Sequence, residues 1–244
     1  MAALIVIPAR LAATRLPNKP LAMIGDQPMI VHVWQRASQA GAGPVVVAAG
    51  DQAIADAITA AGGTAVMTDP ALPSGSDRVH AAAESFDPSG KYDIVVNVQG
   101  DLPTLEPRLV GAAIRALADP KIDIGTVVAP ITVKEELTDT AVVKAALSLK
   151  AGADVAPALY FSRNLIPSGP GEHYHHIGIY AFRRAALRRF VTLSSTPLEL
   201  RERLEQLRAM EDGMRIAAAI ENTIPLGVDT QADLERARRF LGVK

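Results

Sequence analysis

The chain has 244 residues, a length that suggests one large domain or a domain with an insertion, and its 49% hydrophobic and 21% charged residues supply a core and exclude a disordered or collagen-like chain. Twenty-five Lys and Arg offset 26 Asp and Glu, leaving a net charge of -1, so no global basic field exists to hold duplex nucleic acid or an anionic membrane. Zero cysteines exclude disulfides, thiolate catalysis and Cys-zinc sites and fit a reducing compartment. The apolar run after Met1 is too short for a signal peptide, and no run reaches the roughly 18 apolar residues of a membrane span, so a soluble, cytoplasmic protein is expected.

Leu4 to Ile7 is a short β-branched-rich run, the pattern of a strand buried on both faces. Met29 to Gly41 reads as a helix, with Ile30, Val33, Trp34 and Ala37 on one face and Gly41 as its stop. Val45 to Val47 predicts a second buried strand, Ile54 to Ala61 a helix ended by Gly62-Gly63, and Thr64 to Met67 a third strand. Arg78 to Phe86 follows as a helix and Ile94 to Val98 as another strand. Strands alternating with helices at this spacing predict a Rossmann-like α/β fold with a doubly wound, mostly parallel sheet, whose ligand lies beyond the carboxyl ends of the strands.

After Ala118 the regularity breaks. Residues 122–182 hold strand-like runs at Ile124 to Ile131, Val142 to Leu149 and Ile177 to Phe182 without a long helix between them, and read as an inserted, largely antiparallel segment within a single domain spanning 1–244. Pro197 to Met210 predicts a helix with Leu200, Leu204 and Leu207 inward, Arg215 to Ile220 a strand, and Thr230 to Leu241 a closing helix. Thr230 and Asp233 have capping-box spacing, with Asp in place of Glu or Gln.

The loop Pro8 to Pro20 leaves the first strand with three cations, Arg10, Arg15 and Lys19, and no acid. Fixed cations at that position can hold a triphosphate and offset charge developing in its transition state. Pro8, Pro17 and Pro20 stiffen a loop that solvation alone would leave free. The strand carrying Asn97, Val98 and Gln99 runs into Gly100-Asp101, where a carboxylate can ligate Mg2+ or simply make a Gly-Asp turn. Asp229, in Gly227-Val228-Asp229-Thr230, is either a second ligand or an acid favoured at a helix N-terminus. Ser74-Gly75-Ser76-Asp77-Arg78 opens a helix with small residues that can approach a nucleotide or merely cap it. His173-Tyr174-His175-His176 lacks metal-ligand spacing and is read as sugar contacts or packing. Most of the Arg-rich stretch from Arg183 to Arg208 is read as solvated helix faces, and Gly41-Ala42-Gly43 is not a dinucleotide fingerprint.

From Ile7 nearly to the C-terminus, these segments resemble the 3-deoxy-manno-octulosonate (Kdo) cytidylyltransferases. The resemblance is carried by Ile7-Pro8-Ala9-Arg10 with Thr14-Arg15-Leu16-Pro17 and Lys19-Pro20-Leu21, by Ser74-Gly75 with Arg78, and by Asn97-Val98-Gln99-Gly100-Asp101. Tyr160-Phe161-Ser162-Arg163, His176-Ile177-Gly178-Ile179-Tyr180, Leu204-Glu205-Gln206-Leu207-Arg208 and Gly227-Val228-Asp229-Thr230 complete it. The first motif alone marks sugar nucleotidyltransferases in general; the later four, in this order, are particular to the Kdo enzymes.

That resemblance implies a Mg2+-dependent reaction in which the anomeric hydroxyl of Kdo attacks the α-phosphorus of CTP, yielding CMP-Kdo and pyrophosphate for lipopolysaccharide synthesis. It implies that Arg10, Arg15 and Lys19 hold the triphosphate, that Ser74, Arg78 and the backbone near Ala12 hold the cytidine, and that Asp101 and Asp229 bind the metal. Gln99, Arg163, His176, Tyr180, Glu205 and Gln206 would line the sugar pocket, and segment 122–182 would join two copies into a homodimer. No nucleic acid or membrane partner is implied. Ala13 stands where Ser is usual, Leu102 where Glu is usual, and Ala49-Gly50 where Thr-Asp is usual. Rival readings are a cytidylyltransferase for another acidic sugar, 8-amino-Kdo above all, and a CTP-binding regulator that has lost the chemistry.

Overall fold

A computed structural model describes residues 3–12 and 15–243. Ala13 and Thr14, both singled out above, lie outside the described residues. In chain order the elements are β1 (Ala3–Ala9), a 3-10 turn (Lys19–Leu21), β2 (Met23–Ile24), β3 (Gln27–Pro28), α1 (Met29–Ser38), β4 (Val45–Ala49), α2 (Gln52–Ala60), β5 (Thr64–Met67), α3 (Gly75–Phe86), β6 (Ile94–Asn97) and α4 (Arg108–Arg115). There follow β7 (Ile124–Pro130), α5 (Lys134–Thr138), β8 (Lys144–Leu147), β9 (Val155–Ser162), β10 (Tyr174–Arg183), α6 (Arg184–Val191), α7 (Pro197–Glu202), α8 (Gln206–Glu211), β11 (Ile216–Ile220) and α9 (Gln231–Phe240). The chain divides into two compact units, residues 1–110 with 225–244 and residues 111–224, the second wider than the 122–182 expected of an insertion.

In the first unit the strand order is β5-β4-β1-β6 and every pairing is parallel. Ile5 lies between Val45 of β4 and Val96 of β6, so the order reverses on either side of β1 and creates a crevice at the carboxyl ends of β1 and β6. Residues Ala3 to Ile7 are fully buried, which is why that run is uniformly apolar. Helix α1 buries Ile30, Val33 and Ala37 and gives way to Gly41 at φ 61°, a left-handed backbone that favours glycine. Helix α9 opens with the expected reciprocal box, Asp233 N donating to Thr230 Oγ1 at 3.3 Å and Thr230 N to Asp233 Oδ2 at 2.9 Å. A small apolar cluster of Leu16, Ile24, Met29, Val228, Leu234 and Ala237 seats the loop after β1 on this helix.

In the second unit the order is β10-β7-β11-β9-β8, and β8 pairs again with β10 through Tyr174 to Ala145 and His175 to Lys144. Strands β7 and β11 are parallel and the other pairings antiparallel, in line with the expected antiparallel character of 122–182. Closure of β8 on β10 pairs Lys144 and Ala145 of β8 within the chain itself. Gly125 is obligatory in β7, because a Cβ there would lie 2.2 Å from the carbonyl oxygen of Ala113.

Two expectations need correcting. The helix expected over 197–210 is two helices, α7 and α8, separated at Arg203 in the left-handed conformation (φ 56°, ψ 46°). The break turns Leu200 out to 67% exposure while Leu204 and Leu207 stay buried; a hydrophobic repeat that reads continuously through 203 does not register the reversal. Strand β9 was not anticipated, and it carries Pro157, which has no N-H to give to a ladder. Pro157 nevertheless occupies a ladder position opposite Ala217 and accepts from Ser148 N at 2.9 Å.

Candidate functional site

The crevice at the end of β1 is a cavity of about 320 Å³ lined by Arg10, Ala12, Lys19, Gln99, Gly100 and Asp101 among others. A smaller one of about 130 Å³ shares Arg10 and Gln99 and is lined also by Ser74, Gly75 and Arg78. The Lys19 ammonium lies 2.8 Å from Asp101 Oδ2 and 3.0 Å from Asp229 Oδ1, and Arg15 lies 3.1 Å from the other Asp229 oxygen. Burial disfavours the Lys19 charge, but the two carboxylates outweigh it and hold the ammonium above the ordinary lysine range. Seven of the residues singled out by sequence, Arg10, Ala12, Lys19, Ser74, Arg78, Gln99 and Asp101, therefore line the two cavities, and Arg15 and Asp229 join them by ion pairs.

The turn Gln99-Gly100-Asp101 is possible because residue 100 is glycine: a Cβ there would lie 2.8 Å from the Pro8 carbonyl oxygen. Ser74 caps α3 by accepting from Asp77 N at 3.2 Å, so its capping role is real whatever else it contacts. Arg78 is 2% exposed and donates to Thr68 Oγ1 (2.6 Å), Asp69 O (3.1 Å) and Pro70 O (3.4 Å). Burial, and next the Arg10 charge, lower its guanidinium below the usual arginine range. A side chain at Gly50 would come within 2.9 Å of Arg78 Nη1 and 3.2 Å of Arg10 Cβ, so glycine there leaves room for both arginines. The sequence reading missed Asp51, whose carboxylate accepts from Leu11 N at 2.8 Å and pins the cationic loop; an acid just after a strand end was its only signal.

In the second unit the rings of His176 and Tyr180 on β10 have centroids 5.4 Å apart, and the Phe161 ring centroid lies 4.7 Å from that of His176. His176 Nε2 is 3.0 Å from Thr126 Oγ1, while that hydroxyl lies 2.8 Å from the carbonyl oxygen of Ile179. A carbonyl only accepts, so the hydroxyl donates to it and accepts from His176, which fixes the Nε2-H tautomer. Burial, with His175 as a lesser cause, lowers this imidazole to about 3, so it is neutral. The register shift between Ile177 and Tyr180 is what brings both carbonyls of that bulge onto Thr126, a buried residue invisible in an apolar run. Burial and then Glu205 raise the Tyr180 hydroxyl, which stays protonated.

Gln206 is 6% exposed, and its Nε2 has no hydrogen-bond partner among the described residues, a donor whose desolvation is uncompensated. Arg163 spends its guanidinium on the carbonyl oxygens of Glu202 (3.0 Å), Thr140 (3.0 Å) and Arg203 (3.4 Å). His173 meets Pro167 O at 3.0 Å and His175 meets Glu136 at 3.3 Å, so the histidine run makes separate structural contacts.

A parallel sheet whose crevice carries a cationic loop and two aspartates is the architecture of a nucleotidyltransferase, and the cytidylyltransferase family model matches residues 4–216. Among similar proteins are the 3-deoxy-manno-octulosonate cytidylyltransferases of Paramagnetospirillum magneticum, 58% identical over 98% of this chain and 97% of that one, and of Rhodospirillum centenum, 61% identical over 98% and 93%. A solved CMP:2-keto-3-deoxy-manno-octonic acid synthetase complexed with CTP superposes with a TM-score of 0.90 at 36% identity, over 99% of both chains. The chain belongs to the 3-deoxy-manno-octulosonate cytidylyltransferase family. Among the described residues no helix is long and apolar enough to cross a membrane.

Proposed function

We propose that the chain transfers the cytidylyl group of CTP to the anomeric hydroxyl of Kdo, releasing pyrophosphate and activating the sugar for lipopolysaccharide assembly. The observation that carries the chemistry is the convergence of Asp101 and Asp229 on one nitrogen at a cavity walled by Arg10 and Lys19. The bond formed joins the anomeric oxygen to the α-phosphorus, the α-β anhydride bond breaks, and the hydroxyl proton is lost. Arg10, Arg15 and Lys19 supply the positive charge that a triphosphate needs in a cleft, and Ser74, Arg78 and the backbone at Ala12 are assigned to the cytidine. Arg163, His176, Tyr180, Glu205 and Gln206 are assigned to the sugar, with Gln99; the unpartnered Gln206 amide supports this for its own part.

Among the described residues no group of three or more His, Asp or Glu converges as a complete metal cage. Two hard carboxylate oxygens held around one small cation nonetheless fit Mg2+, which takes one or two carboxylates and completes its shell with phosphate and water oxygens. Asp101 and Asp229 would hold it, and when bound it would neutralise phosphate charge and favour ionisation of the attacking hydroxyl.

Pyrophosphate release with Kdo, 8-amino-Kdo and N-acetylneuraminate, each under CTP and UTP, tests the proposal. Turnover with Kdo and CTP is expected; turnover only with 8-amino-Kdo would replace the sugar, and CTP binding without release would make the protein a regulator. We further propose a cytoplasmic homodimer built on segment 122–182, supported by Leu159, 61% exposed on β9. Light scattering at micromolar concentration should report twice 25.7 kDa, and a fully active monomer would overturn it.

A further inference from the structure

Arg203 is one of two non-glycine residues with positive φ among the described residues, and it separates α7 from α8 immediately before Glu205 and Gln206. A left-handed non-glycine backbone costs on the order of 1 kcal/mol and persists only where its surroundings over-determine it. Here the surroundings are two side chains that grip each other's backbone. Arg163 donates from Nε to Glu202 O at 3.0 Å and from Nη2 to Arg203 O at 3.4 Å. In return the Glu202 carboxylate accepts from Arg163 N at 3.1 Å and from Ser162 Oγ at 3.0 and 3.2 Å. The far side of the clamp is fixed as well: the fully buried Lys144 donates to Arg163 O at 3.1 Å and to Val142 O at 2.8 Å.

We infer that Glu202 is a positioning residue of the sugar site, whose carboxylate locks the end of β9 to the turn that delivers Glu205 and Gln206. The inference rests on those two residues being sugar contacts. The donors to its carboxylate, Ser162 Oγ and Arg163 N, both belong to the end of β9 and the residue after it, so the carboxylate is engaged within the clamp. The physical logic is that Gln206 carries an uncompensated buried donor, which has value only if the donor is held still for a ligand. Leu204 N donating to Glu199 O at 3.3 Å and Arg208 Nε donating to the Glu199 carboxylate at 2.8 Å tie α7 to α8, and the clamp adds the restraint that ties this turn to β9.

The test compares Glu202→Ala and Glu202→Gln with wild type in two measurements. Hydrogen exchange at the amides of residues 203–208 should speed up about tenfold in Glu202→Ala, whatever the substrate of the protein proves to be. Steady-state kinetics should show the KM for Kdo raised about tenfold in that variant, with the KM for CTP and kcat changed less than about twofold; Glu202→Gln, which keeps an acceptor for Arg163 N, should recover most of the loss. Unchanged exchange, or faster exchange with an unchanged KM for Kdo, overturns the inference, as does a parallel rise in both KM values. A wild-type protein that does not turn over Kdo is a separate result, counting against the substrate and visible before any variant is made.

Discussion

The main-chain amide of Val228 donates to the carbonyl oxygen of Asp101 at 3.0 Å. This bond joins the turn after β6 to the turn before α9, parts of the chain more than a hundred residues apart, and makes the spacing of Asp101 and Asp229 a property of the backbone. Leu102, which stands where the family usually has Glu, is buried beside Gly227, where a Cβ would meet it at 3.9 Å. An apolar side chain therefore serves the junction between the two turns and leaves both aspartate side chains directed at Lys19.

Replacing either aspartate by Asn keeps size and turn geometry but removes the charge. Turnover should fall roughly 10²-fold, about 3 kcal/mol of transition-state stabilisation, with a circular dichroism melt close to wild type. Near-wild-type pyrophosphate release by Asp229→Asn would reduce that residue to a helix-terminus acid.

Gly100→Ala forces a Cβ to within 2.8 Å of the Pro8 carbonyl oxygen, a backbone atom that cannot swing aside. The Asp101 turn and the start of the cationic loop must then separate, and kcat should drop by about tenfold or more. Gly111→Ala is the control, because a Cβ there would meet nothing within 4 Å. Equal activity in the two variants would show that the close approach has no functional weight.

Thr126→Val preserves shape but removes the hydroxyl that accepts from His176 and donates to Ile179. A buried N-H left unpaired costs about 1–3 kcal/mol, which denaturant titration should register as a lower midpoint at constant slope. An unchanged midpoint would mean that another acceptor replaces Thr126.

His176 makes stability depend on pH. Its folded-state value of about 3 lies below the 6.5 of the unfolded chain, so between those values the unfolded state takes up a proton that the folded state refuses. The contribution is complete above pH 6.5 and is lost as pH falls toward 3, at up to about 1.4 kcal/mol per pH unit. Urea titrations from pH 7 to pH 5 should reveal this slope, and His176→Gln should flatten it; an equal slope in both proteins would move its origin to another group.

The elements legible in the sequence were those whose pattern is local: the buried run of β1, the apolar stripe of α1, the glycine that ends it, and the Thr230-Asp233 box. Cations after β1 and aspartates at two turns could likewise be named without a structure, because a strand end followed by charge is a short-range signal. What only the tertiary structure decided is how distant residues meet. That Asp101 and Asp229 share the Lys19 nitrogen depends on the Val228 amide finding the Asp101 carbonyl. Thr126 acquires its role only when the bulge in β10 turns two carbonyls toward it, and the reversal at Arg203 is gripped from β9 by the Arg163 side chain, forty residues away in sequence. Hydrophobic periodicity records which residues leave water, whereas a hydrogen bond between distant residues leaves no trace in either neighbourhood until the chain has folded.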